Sequence, residues 1–341
     1  MFEALFRKYV NFKNITFIIV AALFLFFIFN CKDIAIMFFA AFVISCSLDP
    51  IVTKLEKKMP RSIAATLVMV ALILILAAIF IPVCIMSAGQ INLFLHKLPW
   101  YIDNFDEYVL GLPILKQFNF LANDADNIME QISLSSSDII THAMDIGKSI
   151  GASFLYLFVS VILIYNMVAD KAKIQRFYLK IFPSNMRKKA AKVGEIISDK
   201  MGGYLTALLV TTASVGIVML IGLSIMNVPY ALLLAIITAV FDIIPVVGPA
   251  LALVICLLAA YEAGTGVVIS AIVVFALAQL IENNLVRPYV FSKVMDIHPI
   301  VVFLFLFIAA QYIGIVGVVF APAIAALVAV LFEELYLKNL G

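Results

Sequence analysis

An apolar tract from Met201 to Tyr261 contains one charged side chain, Asp242, and this feature constrains the fold of the whole chain. Asp242 begins a short segment in which Pro245, Gly248 and Pro249 interrupt any helix. A carboxylate at membrane depth is costly unless it lines a cavity or has a partner, and helix breakers free backbone groups that also need partners. Such a combination is typical of a transport path.

The composition predicts a membrane protein. Hydrophobic residues make up 65% of the chain and charged residues 13%, whereas about 25% of residues are charged in a typical soluble domain. The formal net charge of +2 is too small to indicate nucleic-acid binding, so no nucleic-acid partner is expected. The sequence therefore predicts an all-α integral membrane protein that is embedded in a lipid bilayer.

Apolar segments and the charges between them predict the topology. About 20 helical residues cross a bilayer. The first candidate spans are 14–31, 34–48, 62–88 and 149–169. The segments 1–13, 49–61 and 170–200 are rich in Lys and Arg, which indicates that they are cytoplasmic. Residues 89–148 carry eight carboxylates against three lysines and are expected outside. With the later spans, both termini are expected in the cytoplasm.

The carboxy-terminal half contains a repeat at an offset of 69 residues. Residues 242–248 align with 311–317, and both segments start with Asp or Gln, have Ile third and end with Val-Gly. Each copy follows a turn proline and an apolar run of about 12 residues, and a run of similar length follows it. Two short apolar limbs with a broken tip predict a helical hairpin that enters the membrane and returns; a kinked full span is the alternative.

The two hairpins are expected to have opposite orientations. If 203–222 crosses outward, the hairpin over 229–260 starts and ends outside. The segment 267–281 then crosses back, so that the hairpin over 299–330 opens from the inside. The predicted fold therefore has about 8 membrane segments, including two Pro/Gly-broken re-entrant hairpins in inverted repeats.

These patterns divide the chain into six segments. They are an N-terminal scaffold (1–88), an acidic extracytoplasmic helical insert (89–148), a span (149–169), a basic cytoplasmic linker or interfacial helix (170–200), a transport unit (201–332) and a tail (333–341). The basic segment is expected to lie on the anionic inner leaflet or to form a solvated linker. The repeat lies within the transport unit.

Candidate pathway residues are the polar positions of the transport unit. Asp242 can bind a proton or a cation, because burial without a partner disfavours a charged carboxyl group; a salt bridge to Arg287 or a helix cap are the alternatives. Four polar residues share one face of a later helix, at positions i, i+3, i+4 and i+8, and Pro288 is expected to end that helix. These four are Gln279, Glu282, Asn283 and Arg287. They line the path or form a cluster at the membrane interface.

The repeat adds candidates at the second tip. Gln311 takes the position of Asp242 and is expected to bind solute or to satisfy freed backbone groups. Gly248, Gly314 and Gly317 allow close backbone approach or unusual dihedral angles at the tips. Two weaker candidates are Asn284, which is expected to point aside, and His298, which can equally start a helix.

Signatures of enzymes do not fit. The three histidines are scattered, and Gly147-Lys148-Ser149 does not complete a P-loop because His142 stands where that motif needs glycine. We therefore expect no enzyme, no metal site and no cofactor, apart from a transported or coupling Na⁺ or H⁺.

Eight short motifs follow one another between 204 and 322. They are Tyr204-Leu205, Val228-Pro229-Tyr230-Ala231-Leu232, the segment from Asp242 to Pro249, Glu282-Asn283-Asn284, Arg287-Pro288, His298-Pro299, Gly314-Ile315-Val316-Gly317 and Ala321-Pro322. With these motifs the chain resembles the autoinducer-2 exporter (AI-2E) family of bacterial membrane proteins. It departs from many members at Thr206 and Ala207, where they have Arg and Gly.

The resemblance implies a polytopic permease of the inner membrane, with hairpins like those of elevator transporters. It also implies a homo-oligomer, for example a pentamer. Members have been linked to export of autoinducer-2 and, in other branches, to exchange of sodium or lithium for protons.

The function expected first is a secondary-active transporter of the AI-2E type that exports a small solute, similar to autoinducer-2 and coupled to H⁺ or Na⁺. A Na⁺(Li⁺)/H⁺ antiporter is the second hypothesis. The third is a non-transporting membrane scaffold that binds a partner through residues 89–148, and the fourth is a passive channel.

Overall fold

A computed structural model describes residues 31–78, 150–244, 247–261, 263–291 and 297–335, together with the single positions 81 and 85. The predicted first span, the acidic insert and the tail beyond residue 335 lie outside these residues. The described residues form helices and turns and contain no strand.

The helices are numbered here in chain order. They are α1 (Lys32–Glu56), α2 (Arg61–Ala78), α3 (Ile150–Ala169), α4 (Lys171–Ile181), α5 (Arg187–Ile225), α6 (Ala231–Phe241), α7 (Val247–Tyr261), α8 (Thr265–Ile281), α9 (Arg287–Phe291), α10 (Pro299–Tyr312) and α11 (Ile315–Leu335). A turn of π-helix over Glu282–Val286 joins α8 to α9.

Five helices of the described chain are long and apolar enough to cross a membrane. They are α1, α2, α5, the continuous stretch from α8 through α9, and α11. Shorter apolar helices include α6, α7, α10 and the part of α3 from Tyr156 to Ala169. The chain is therefore an all-helical, multi-pass membrane protein, as predicted from its composition. The total of about 8 segments and the re-entrant path of the hairpins stay predictions.

The expected end of the second span at residue 48 is wrong, because α1 continues through Pro50 to Glu56; the cytoplasmic position of residues 49–61 stays a prediction. Ion pairs at this end stabilise the longer helix. Arg61, at the start of α2, lies 2.5 Å from an Asp49 carboxylate oxygen and 2.8 Å from one of Glu56, and Lys171 lies 2.5 Å from the other Asp49 oxygen. Arg61 also donates to the Val168 carbonyl at 2.8 Å, so one residue connects α1, α2 and α3.

The central element is α5, a continuous helix of 39 residues that packs against α1, α6, α8, α9 and α11. The predicted boundary between the basic linker and the transport unit, at 200/201, falls inside it. Gly202 allows its close contact with α1, since a Cβ atom there would lie 2.5 Å from the Cys46 carbonyl oxygen. The amino-terminal part of α5 and the part that packs against α6 therefore belong to one continuous helix.

Helix α4 carries four of the nine basic residues of the predicted basic segment 170–200 and has no buried residue; the other five lie on α5. Its Phe177 side chain is 72% exposed, and Lys173 is exposed beside it. Tyr178 donates a hydrogen bond to the Ala190 carbonyl and so attaches α4 to α5. This apolar and basic surface fits the predicted position on the inner leaflet, which stays a prediction.

Tyr204 links α5 to α11, and its replacement by phenylalanine is expected to lower stability by about 1 kcal/mol, the net value of one hydrogen bond. The Tyr204 ring is buried, and its hydroxyl donates to the Val319 carbonyl at 2.5 Å. Thermal unfolding in detergent would measure the change. Tyr289→Phe on the exposed surface of α9 is the matched control, because Tyr289 is 81% exposed. Equal melting temperatures for both variants would contradict this role.

Candidate transport site

The first break in the transport unit lies between α6 and α7. Helix α6 ends at Phe241 and α7 begins at Val247, as the segment starting at Asp242 predicts. Gly248 packs directly on the end of α6, since a Cβ atom there would lie 1.7 Å from the Phe241 carbonyl oxygen. Its amide donates to the Ile244 carbonyl at 3.0 Å. Pro249 is half-buried, and Pro245 lies outside the described residues.

The second break lies at the repeat position, between α10 and α11. Helix α10 ends at Tyr312, and Gly314 has a φ of +85°, a conformation that side chains other than glycine rarely adopt. A Cβ atom at Gly317 would lie 2.4 Å from the Cβ of Ile313, so this glycine also allows a close approach. The expectation of limbs of similar length is wrong here, because α11 has 21 residues and α10 has 14.

The two broken tips pack against the same apolar cluster. Ile244, at the first tip, and Ile313, at the second tip, both lie against a small group of buried residues between α10 and α11. The buried members of that cluster are Leu306, Ala309, Val318 and Ala321. The fold therefore brings the two repeat motifs together, although 69 residues separate them along the chain.

Asp242 lies at the end of α6 and is only 5% exposed. Its carboxylate interacts electrostatically with Glu282 and Arg287 and lies beside the amide of Gln279. The residues of the predicted polar face that reach Asp242 are therefore Gln279, Glu282 and Arg287. We call these three residues, together with Asp242 itself, the Asp242 cluster.

The π-helical turn positions Glu282 and Arg287. The Arg287 backbone amide bonds to the Glu282 carbonyl five residues back, whereas residues five apart in an α-helix point about 140° away from each other. Arg287 donates from Nε to Glu282 Oε1 at 3.0 Å, and its Nη2 donates to the same oxygen. Glu282 is 1% exposed and Arg287 is 42% exposed. The salt bridge considered for Asp242 thus goes to Glu282 instead.

Three buried polar atoms of the Asp242 cluster have no hydrogen-bond partner within the described residues. They are Asp242 Oδ1, Gln279 Nε2 and Glu282 Oε2. Unsatisfied polar atoms are rare in protein interiors, and in a membrane protein they mark places where ions, solutes or protons bind. Such atoms from two separate helices converge here, which makes this cluster the candidate site.

Other predicted residues lie elsewhere. Asn283 and Asn284 are exposed, and each donates its side-chain amide to a carbonyl of its own helix, at 2.9 Å and 3.0 Å respectively. Gln311 is exposed near the end of α10, and its side chain makes no hydrogen bond among the described residues. His298 caps α10, where its Nδ1 accepts from the Ile300 amide at 3.3 Å, as the helix-start interpretation predicts.

The helix that carries the polar face does not end at Pro288. It continues through the π-turn into α9 as far as Phe291, so that prediction is wrong. Proline lacks the backbone amide that would donate a hydrogen bond inside an α-helix. The π-turn over Glu282–Val286, directly before Arg287 and Pro288, changes the hydrogen-bond pattern so that the helix can continue through the proline. Neither the π-turn nor the contact of Glu282 with Asp242 was predicted from the sequence. The only signal was Pro288 shortly after Glu282.

A polar, charge-bearing cluster inside a bundle of apolar helices is typical of membrane transport proteins. Within that class, the family model for AI-2E family transporters matches residues 17–337, and the chain belongs to this family.

Named relatives agree with this class. A Bacillus subtilis protein provisionally named as a transport protein, YueF, is 27% identical over 292 residues, which cover 83% of this chain and 79% of the relative. Another from the same organism, YtvI, is 23% identical and covers 85% of each chain. The similarly named permease PerM of Escherichia coli is 22% identical over 76% of this chain and 74% of its own.

Proposed function

We propose that this protein is a secondary-active transporter in which the Asp242 cluster binds a coupling proton or sodium ion. The observation that carries the proposal is the convergence of unpartnered Asp242 Oδ1 and Glu282 Oε2 in one buried cluster. Carboxylate oxygens are the ligands that hard cations prefer, and either oxygen can also take a proton. The gradient of that ion would supply the free energy for moving a solute.

The charges of the cluster support a single positive ligand. Asp242 and Glu282 carry two negative charges when ionised, and Arg287 supplies one positive charge. The sum is −1, and burying an uncompensated charge is costly. Binding of one H⁺ or Na⁺ would bring the net charge of the cluster to zero. Gln279 would then donate a hydrogen bond from Nε2 to the solute, because Nε2 has no geometric partner among the described residues and an amide NH2 group donates but does not bind a cation.

The apolar cluster against which both tips pack supports alternating access. Opposed hairpins that meet near the membrane centre are the layout of inverted-repeat transporters, whose sites open to either side in turn. The first tip carries Asp242, and the second carries the Gly314 turn at the matching repeat position. In this proposal residues 201–332 are the moving transport unit, and α1 to α3 form the scaffold and the contacts of a homo-oligomer.

The transported solute is proposed as a small organic molecule similar to autoinducer-2, moved outward, because the chain belongs to the AI-2E family. Exchange of sodium or lithium for protons is the second candidate, which the unpartnered carboxylate oxygens of the cluster favour. Both candidates need the same ion site, so a test of ion movement comes first.

Purified protein in proteoliposomes with an imposed pH gradient tests this function. Sodium, lithium or choline chloride is added outside, and a pH-sensitive dye follows the internal pH. Collapse of the gradient by sodium or lithium, but not by choline, would establish antiport. If no cation changes the dye signal relative to protein-free liposomes, antiport fails. Counterflow of an organic solute such as autoinducer-2 would then be the remaining test of transport.

A further inference from the structure

We propose that Arg287 sets the valence of the ion that the Asp242 cluster binds, so that it selects monovalent over divalent cations. The inference rests on the proposed function and deepens it, because it assigns the selectivity of that same site to one residue. The observation behind it is that Arg287 binds one oxygen of the Glu282 carboxylate and leaves the other oxygen without a hydrogen-bond partner.

Arg287 leaves half of the Glu282 carboxylate available. Both of its bonds go to Oε1, while Oε2 is buried and has no partner within the described residues. In this proposal the cation takes the two oxygens without a hydrogen-bond partner, Glu282 Oε2 and Asp242 Oδ1, whose carboxyl groups lie side by side, and Arg287 stays on Oε1. The guanidinium stays in place as a fixed positive charge beside the ion.

The net charge of the cluster then determines which ion fits. Two carboxylates and one guanidinium sum to −1 when all are ionised, and one monovalent cation or proton brings the sum to zero. A divalent cation would leave an excess positive charge in a site whose carboxylates are 5% and 1% exposed. Such a buried excess is unfavourable, and the fixed guanidinium also repels the second charge directly.

No group of three or more His, Cys, Asp or Glu side chains comes together among the described residues in a way that could hold a metal ion. The electrostatic partners of Asp242 are Glu282 and Arg287, so the charge of the cluster can be changed one unit at a time.

Three substitutions change the cluster charge in a defined series. Arg287→Gln makes it −2, Arg287→Lys keeps it at −1, and Glu282→Gln makes it zero. Ion binding is measured in detergent as a rise in melting temperature, since a ligand that binds the folded state stabilises it. Unfolding is followed with a thiol-reactive dye, because Cys46 and Cys256 are buried and free. Ionic strength is held constant with choline chloride.

The expected result is a switch in valence. The wild type and Arg287→Lys are stabilised by sodium or lithium and not by calcium. Arg287→Gln is stabilised by calcium with an apparent affinity at least about tenfold above that for sodium, because the fixed positive charge is gone. Glu282→Gln responds to neither ion. If Arg287→Gln does not melt cooperatively, Arg287→Met, which also removes the positive charge, takes its place in the comparison of calcium with sodium.

Two outcomes would overturn the inference while the proposed function stands. In the first, the wild type responds to sodium and Arg287→Gln keeps that preference over calcium. In the second, Glu282→Gln keeps the sodium response. A wild type that responds to no monovalent ion would refute both the selectivity and the proposed ion site, and this outcome is distinct from the other two.

Discussion

Replacement of Asp242 by asparagine is expected to abolish the sodium- or lithium-driven collapse of a pH gradient, down to the rate of protein-free liposomes. Asparagine has nearly the same shape as aspartate, so the break between α6 and α7 should persist. The substitution raises the cluster charge from −1 to zero and removes the oxygen Oδ1 as an anionic ligand. Initial rates of dye recovery in proteoliposomes measure the effect.

Asp33→Asn is the matched control for this experiment. Asp33 lies in the first turn of α1, is exposed, and belongs to no described ion pair or hydrogen bond. The control should transport like the wild type. If Asp242→Asn also keeps the wild-type rate, Asp242 has no part in coupling, and the site proposal is refuted even though transport itself would be established.

Gly248→Ala is expected to have the largest effect on folding, a loss of about 3 kcal/mol or more in stability. The added Cβ atom would lie 1.7 Å from the Phe241 carbonyl oxygen, which is backbone and cannot rotate away as a side chain does. The tip would have to open, and Asp242 would move with it. The yield of folded protein and the melting temperature in detergent measure this change.

Gly266→Ala provides the control for the glycine experiment. Gly266 lies in the first turn of α8, and an added Cβ atom there would meet nothing within 4 Å. Alanine favours a helix over glycine by up to about 1 kcal/mol, so this variant should be as stable as the wild type or slightly more stable. A Gly248→Ala protein that melts like Gly266→Ala would show that the tip is not packed as described.

The sequence predicted the broken tips because prolines and glycines act locally. Proline removes a backbone donor wherever it stands, and the breaks between α6 and α7 and between α10 and α11 occur where the motifs lie. Pro50, in contrast, lies inside α1, and the ion pairs of Asp49 with Arg61 and Lys171 stabilise the helix around it. Tertiary contacts of this kind leave no mark in a local pattern.

The candidate site was predicted only in part. Asp242 and Glu282 were recognised separately, since each is a charged residue among apolar ones. Their contact depends on how α8 packs near the end of α6, which spacing along the chain does not determine. The predicted polar face assumed 3.6 residues per turn throughout, and the π-turn changes that period after Glu282. Arg287 is consequently paired with Glu282, and Asn283 is exposed.

Sodium protection of the Asp242 cluster from chemical modification tests the central claim most directly. Purified protein is treated with an apolar carbodiimide, which modifies protonated carboxyl groups, and the modified residues are identified by mass spectrometry. The proposal predicts modification at Asp242 or Glu282 in choline chloride and protection of the same residue by sodium or lithium, most strongly at higher pH. Modification that is independent of ion and of pH would contradict the account, since no ion would then bind at these carboxylates.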